Sequence, residues 1–290
     1  MDSASNKAEI QPIQTELIAR AGEFLHRHMS GRFSAQKWQE CLLQTWDRDV
    51  PNHGFALVRE DGEVVGVLCA LYSKQKIAGQ WLDICNPHSW CVLPEYRKQS
   101  ISLVLAVIQQ PGFHFTMFTP NQSGLEIFAY LGFKPMDKGI LWAPNWPTSP
   151  FSRKVRFVTD MQQARTLLSE EQARILTDHL AYDWLLPLVM QAAEHAVLVI
   201  IKRQKYKRAK AAQLLYVSDY EKLLEHWRAF RSHLLLRHHI FTTRLENRFL
   251  PEGKSIRGIT DEGHQRFYLS DQLQPHQVQY IYSEMAALKL

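Results

Sequence analysis

His88-Ser-Trp-Cys-Val-Leu-Pro94-Glu-Tyr-Arg97-Lys-Gln-Ser100-Ile-Ser102 is the stretch on which the reading of this chain turns. An apolar strand ends at Pro94, and a short loop feeds a helix over Gln99 to Gln110 whose first turn holds no acidic residue. The N–H groups of a first turn have no partner inside the helix, and they sit at the positive end of its dipole. Arg97 and Lys98 stand beside that turn, so the junction suits a phosphate or pyrophosphate.

Outward from this junction the first half alternates helices and strands. Ile18, Ala21, Leu25 and Met29 recur at helical spacing, and Ser34 is placed to cap a second helix with Trp38, Cys41, Leu42, Thr45 and Trp46 on one stripe. Phe55 to Arg59 and Val64 to Tyr72 flank Asp61-Gly62, a hairpin-turn signal. Asp83 to Leu93 reads as a further strand, with Pro87 marking a bulge or an edge. The helix that follows is apolar almost all round (Ile101, Leu103, Val104, Leu105, Val107, Ile108), which predicts cover on both sides. Pro111-Gly112 ends it, Phe113 to Thr119 forms another strand, and a short helix from Ser123 stops at Gly132.

The 290 residues suit one large domain or two ordinary ones, and 46% hydrophobic content is ample for a packed core. No apolar run reaches membrane-spanning length, and Met1-Asp-Ser-Ala-Ser-Asn-Lys has no apolar signal core. Cys41, Cys69, Cys85 and Cys91 fall inside apolar patterns instead of a disulfide framework, so a reducing, cytoplasmic location is expected. A net charge of +5 suits anionic ligands without implying nucleic acid.

Pro144, Pro147 and Pro150 crowd the stretch between Trp142 and Ser152, which predicts a boundary between domains 1–145 and 146–290. The second half repeats a similar order. Helices are expected over Leu167 to Thr177 and Trp184 to Glu194, and strands over Ala196 to Arg203 and Ala212 to Val217. A helix carrying Leu223, Leu224, Trp227, Phe230, Leu234 and Leu235 follows, then a strand over Ile240 to Leu245. Tyr216-Val-Ser218-Asp219-Tyr-Glu221 reads as a capping box at the strand-to-helix junction, and its acids would repel an anion there.

In this order of elements the first half, Ile10 to Leu141, resembles the GNAT superfamily of acyl-CoA-dependent N-acyltransferases. The family's pyrophosphate motif is Arg or Gln, two residues, Gly, one residue, then Gly or Ala. It stands here as Arg97-Lys-Gln-Ser100-Ile-Ser102, with serine at both glycine positions. A second signature of Asn, Ala, Tyr and Gly-Phe stands as Asn121, Gly124, Phe128 and Gly132-Phe133. The resemblance implies an α/β fold, a GNAT-like mixed sheet with flanking helices, followed by a second, degenerate GNAT-like α/β domain. It implies acetyl-CoA or another acyl-CoA held by Val92, Leu93, Arg97, Lys98, Gln99, Ser100, Ile101, Ser102 and Asn121. The strand before Pro94 would pair its backbone with the pantetheine arm, and an N–H near Val92 or Leu93 would polarise the thioester carbonyl.

Phe128 stands where many members carry a Tyr that protonates the departing thiolate, and Tyr130 points about 200° away on a helix. Many relatives use a fourth-strand carboxylate as general base. Of Asp83, Asn86 and His88 on that stretch, His88 is the expected base, because imidazole titrates near neutral pH. The acceptor of the acetyl or longer acyl group is expected to be a small amine or a peptide, entering beside the N-terminal helices.

The competing reading is a GNAT-like module that binds CoA or a protein partner without turnover. Phe128 and the two serines favour it, while Arg97, Asn121 and the acid-free helix start oppose it. Lys202 to Lys210, the densest charge run, reads as a solvated hairpin loop in preference to a nucleic-acid grip, so nucleic acid is not an expected partner. Cys85, His88 and Cys91 lack the paired spacing of a structural zinc site, and no metal is expected. Trp81, Trp90 and Trp142 suit either core or a long acyl pocket. Rossmann, P-loop and G-x-S-x-G fingerprints are absent from the sequence.

Overall fold

In the computed structural model, which describes residues 7–43, 46, 50–147 and 155–289, strand β1 (Glu9–Pro12) leads into helices α1 (Thr15–His28) and α2 (Ala35–Leu42). β2 (Gly54–Val58), β3 (Val64–Ile77), β4 (Gln80–Val92), α3 (Ser100–Ile108), β5 (Phe113–Met117), α4 (Gln122–Tyr130) and β6 (Lys134–Pro135) follow. Next come β7 (Gly139–Pro144), β8 (Val155–Val158), α5 (Met161–Leu167), α6 (Glu170–His179), β9 (Leu185–Ala192), β10 (His195–Tyr206) and β11 (Ala209–Val217). After them stand α7 (Tyr220–Glu225), α8 (Trp227–His238), β12 (Thr242–Glu246), β13 (Ile259–Glu262), β14 (Phe267–Leu269) and α9 (Glu284–Ala287).

These elements form two units. One is drawn from Met1–Pro135, Arg266–Leu273 and Tyr282–Leu288, the other from Met136–Gln265, Gln274–Ile281 and Lys289–Leu290. The sheet of the first has the order β1-β2-β3-β4-β5-β14-β6. β1 to β4 pair antiparallel in turn, β4 runs parallel to β5, and β14 lies antiparallel between β5 and β6. The second sheet repeats this as β8-β9-β10-β11-β12-β7-β13, with β11 parallel to β12 and β7 antiparallel between β12 and β13. Parallel neighbours need a crossover, which α3 supplies in one unit and α7 with α8 in the other.

In each sheet the sixth strand comes from a distant part of the chain. β7 follows β6 in sequence but pairs in the second sheet, and β14 follows β13 but pairs in the first. This exchange explains a difference from the proline-based reading. That reading puts the boundary at 145/146, whereas the division falls between Pro135 and Met136, because β12 and β13 satisfy the backbone of Gly139–Pro144. Residues 148–154 of the proline-rich stretch lie outside the described residues.

Local chemistry accounts for most of the elements in the first unit. Leu17, Ile18, Ala21 and Leu25 put the buried face of α1 against a core that includes Trp38 and Leu42 of α2 and Val67 and Cys69 of β3. Ser34 starts α2 by accepting a hydrogen bond from the Lys37 N–H at 3.1 Å; Thr45, read onto the same stripe, lies outside the described residues. Leu103, Val104 and Val107 of α3 join Leu68, Phe115 and Phe267 in a second core cluster. Ile101 is 44% exposed, so the all-round apolar helix is not covered on every side.

The second unit departs from its sequence reading in several places. The segment read as a helix over Trp184 to Glu194 is instead strand β9, paired with β8 and β10. A strand inside a sheet takes a continuous apolar run on both faces, so Leu185, Leu186, Leu188, Val189 and Met190 carry helix-forming residues into a buried strand. The predicted helix from Leu223 breaks at His226 into α7 and α8. The basic run is mostly strand, not loop: β10 and β11 pair as far as Tyr206 and Ala209, leaving Lys207-Arg208 as the turn, with Lys207 at φ 55°. Among the described residues no helix is long and apolar enough to cross a membrane.

Phe267 of β14 is 4% exposed in the core of the first unit. Its replacement by Ala should cost about 3–5 kcal/mol in urea unfolding. A fragment of residues 1–145, deprived of β14, should show no cooperative urea transition by circular dichroism.

Candidate functional site

β4 and β5 pair only where Asp83–Cys85 meets Phe113–Phe115, and β4 then runs on beside β3 as far as Val92. At the point of parting, the buried Asn86 side chain donates from Nδ2 to the Thr116 carbonyl at 2.9 Å. Pro87 sits just beyond. Ala70, its register partner on β3, donates its N–H away from β4 to the His53 carbonyl at 3.1 Å. The backbone of Pro87 therefore faces the side where the β5 ladder has already ended, and its missing N–H breaks no ladder bond.

Two residues further on, at Ser89, β4 bulges. Cys69 pairs with His88 and Val67 with Cys91, so β4 carries one residue more than β3, and Ser89 takes φ 52°. The Leu93 N–H donates to the Val65 carbonyl at 2.9 Å. Strand alternation then turns the Val92 N–H to the open side. Of the two amides expected to polarise a thioester, that of Leu93 is already committed to β3 and Val92's faces the opening.

The opening leads to a groove of about 620 Å³ lined by Val92, Leu93, Arg97, Ser100, Ile101 and Asn121, with His28 of α1 also on its wall. The chain enters α3 through a 3-10 turn at Pro94–Gln99, and no acidic residue lies in the first turn of α3. Lys98, Gln99 and Ser102 are not on the wall. Ser102 Oγ donates to the Gln99 carbonyl, and Gln99 Oε1 accepts from the distant Ala8 N–H at 3.3 Å, so both side chains bond to backbone.

Asn121 caps α4, its Oδ1 accepting from the Gly124 N–H at 2.8 Å, which leaves the side-chain NH₂ for the groove. α4 stops where Gly132 takes φ 84° and the Phe133 N–H reaches back to the Phe128 carbonyl at 3.0 Å. Phe128 is 1% exposed and edge-on to Trp90 and Phe133, while Tyr130 is 90% exposed. Phe128 has no proton to give, and Tyr130 is not on the wall.

A cavity of about 100 Å³, lined by His88, Ser89, Trp90, Thr119, Asn121 and Phe128 among others, shares Trp90 and Asn121 with the groove. His88 is 3% exposed, its Nδ1 lies 2.9 Å from Ser89 Oγ, and its buried Nε2 has no hydrogen-bond partner among the described residues. Burial pushes its pKa down to about 4, so the ring is neutral at pH 7. Of the tryptophans, Trp90 lines both spaces, Trp81 is 49% exposed, and Trp142 lies in the second unit, stacked on Tyr206.

The second unit closes the corresponding edge with its own chain. β11 pairs with β12 only over Ala211–Gln213. Beyond that, the Tyr280 N–H donates to the Leu215 carbonyl at 3.0 Å. The Val217 N–H donates to Gln279 Oε1 at 2.9 Å, and Gln279 Nε2 donates to the Val217 carbonyl at 3.2 Å. The Gln279 amide thus takes the place of a peptide unit along the strand. The α7 cap differs from the capping box read in the sequence. Asp219 alone caps, accepting from the Lys222 N–H at 2.9 Å, while Ser218 Oγ accepts from the Leu198 N–H. Nothing in the local pattern around Gln279 and Tyr280 announces their role, because it depends on a strand more than sixty residues away.

No family model matches the chain, and no curated protein matches it in sequence. Solved structures do match. The GCN5-related N-acetyltransferase from Anabaena variabilis aligns over 91% of this chain and 72% of its own, with a TM-score of 0.58 at 13% identity. The GCN5-related N-acetyltransferase from Kribbella flavida aligns over 93% and 72%, with a TM-score of 0.58 at 12% identity. Eis1 from Mycobacterium abscessus aligns over 90% and 73%, with a TM-score of 0.52 at 14% identity. The chain has the mixed α/β fold of the GCN5-related N-acetyltransferases, in a two-unit arrangement.

His88 carries a stability signature. Its folded pKa is depressed, so below about pH 6.5 the unfolded chain binds a proton that the folded chain refuses. Its contribution is fully present above that pH and is lost as pH falls toward 4. Urea titrations of His88→Gln should show about 3 kcal/mol less loss than wild type between pH 7 and 4.

Proposed function

We propose that the first unit transfers an acyl group, acetyl or longer, from an acyl-CoA to an amine. The observation that carries this reading is the unpaired edge of β4 at Trp90–Val92, facing a groove that ends at the acid-free start of α3 with Arg97 beside it. An extended, amide-bearing chain satisfies such an edge as a further strand does, and Gln279 satisfies the matching edge of β11 in that manner. A pyrophosphate suits the helix start, where N–H groups and Arg97 offer charge-assisted hydrogen bonds. Serine at 100 keeps that approach narrow without filling it.

In this reading the Val92 N–H and the Asn121 side-chain NH₂ are the donors available to a thioester carbonyl. His88, on the wall of the adjoining cavity with Nδ1 2.9 Å from Ser89 Oγ, is the base that this reading assigns to the attacking amine. Water supplies the proton to the departing thiolate, since Phe128 has none. Holding amine and thioester together accounts for most of the acceleration.

Isothermal titration calorimetry tests the reading. CoA and acetyl-CoA should bind once per chain, because the second unit's edge is filled. Arg97→Glu should weaken binding by roughly ten- to hundredfold, equivalent to ~1.5–3 kcal/mol. Absence of CoA binding would overturn the proposal; binding without transfer to any amine in a broad panel would leave a cofactor-binding module. The acid limb of kcat/KM should fall near pH 4, where the His88 ring charges, and not near 6.5.

A further inference from the structure

One end of the second unit's sheet, where β11 and β12 begin and β7 and β10 finish, gathers positive charge. Arg203, Lys205, Lys207, Arg208 and Lys210 are exposed on the β10–β11 hairpin, and Lys205 stands directly opposite Lys210. Like charges across a ladder repel, so this pairing costs stability unless something neutralises it. Among the described residues none of the five is in an ion pair. Lys207 lies over the Tyr206 ring and Arg203 donates to the Asp183 carbonyl, while the Asp183 carboxylate pairs with Lys289 at 3.7 Å. The sequence supplies no acid from 195 to 218 or from 226 to 245.

Apolar side chains protrude at the same end. Phe230 and Leu234 of α8 share a core cluster with Val199 and Ile201 of β10. Alternation along β10 therefore turns Arg203 and Lys205 to the face of the sheet that α8 covers. α8 ends beside them, where His239 takes φ 55° and the chain turns into β12. Leu236 in the last turn and Phe241 before β12 are each more than half exposed, and Arg237 between them is exposed as well. The Phe241 N–H donates to the Lys210 carbonyl at 2.9 Å, and its carbonyl accepts from the Asn145 N–H at 2.8 Å. These bonds tie it to the hairpin on one side and to Trp146, also more than half exposed, on the other.

A surface of this kind suits a partner with dense negative charge above an apolar interior. An anionic bilayer is such a partner: lysine and arginine meet its headgroups, while Leu, Phe and Trp enter the acyl boundary. Nucleic acid offers phosphates too, but its apolar faces are flat bases, which Phe and Trp stack on and Leu does not. We infer that this end of the second unit is a docking surface for an anionic lipid bilayer. The inference is independent of the acyl-transfer reading, and it gives a binding role to the unit whose strand edge Gln279 fills.

Sedimentation with lipid vesicles tests it. The full-length protein should pellet with phosphatidylcholine vesicles containing about 30% phosphatidylglycerol and stay in solution with phosphatidylcholine alone. Lys205→Glu combined with Lys210→Glu should weaken binding to the anionic vesicles by at least about tenfold. Leu236→Ser combined with Phe241→Ser leaves every charge in place and should weaken it by at least about threefold. No pelleting with the anionic vesicles, equal pelleting with both kinds, or unchanged binding in either double variant would sink the inference. Release from the vesicles by a single-stranded oligonucleotide at equal phosphate concentration would also defeat it, assigning the surface to nucleic acid. Should the charge-reversed pair fail to fold by circular dichroism, Lys205→Gln with Lys210→Gln takes its place, and unchanged binding there counts equally against the inference.

Discussion

The hydrogen bond from Asn86 to the Thr116 carbonyl sits where β4 and β5 stop pairing, and the site of the first unit depends on that parting. Backbone N–H and C=O groups seek partners, so a strand that outruns its neighbour presents a standing demand. Pro87, the bulge at Ser89 and the turn into α3 all lie on the stretch that outruns β5. Together they bring an unpaired edge and a helix start to one groove, with a neutral imidazole on the wall of the cavity beside it.

The two units show two answers to the same demand. In the second, Gln279 and Tyr280 supply the missing partners from within the chain. In the first, the edge is left open to a groove with Arg97 and Ser100 on its wall. The strand order repeats in both units, with the edge filled in one and open in the other.

What was legible in the sequence is what local chemistry decides. The Ser34 cap, the Asp61-Gly62 turn and the Gly132 stop are each written within a few residues, and each stands where its signal lies. Arg97 and Asn121 likewise carried their motif positions onto the groove wall. β9 was hidden because leucine-rich sequence folds as helix or as buried strand, and only its neighbours decide. The exchange of β7 and β14 was hidden because pairing across more than a hundred residues leaves no local pattern. His88 shows the same limit in chemical form. Sequence supplies an imidazole, but burial sets its charge, and here it moves the titration to about pH 4.

The exchanged strands also bear on how the chain is made. When β6 leaves the ribosome, the first sheet still lacks the strand that belongs between β5 and β6, and that strand follows the whole of β7 to β13. At typical translation speeds this interval is on the order of ten seconds. Throughout it, Phe115 and Met117 border an unfilled slot, and a nascent chain with an open apolar edge is a substrate for chaperones and for mispairing with its neighbours on a polysome.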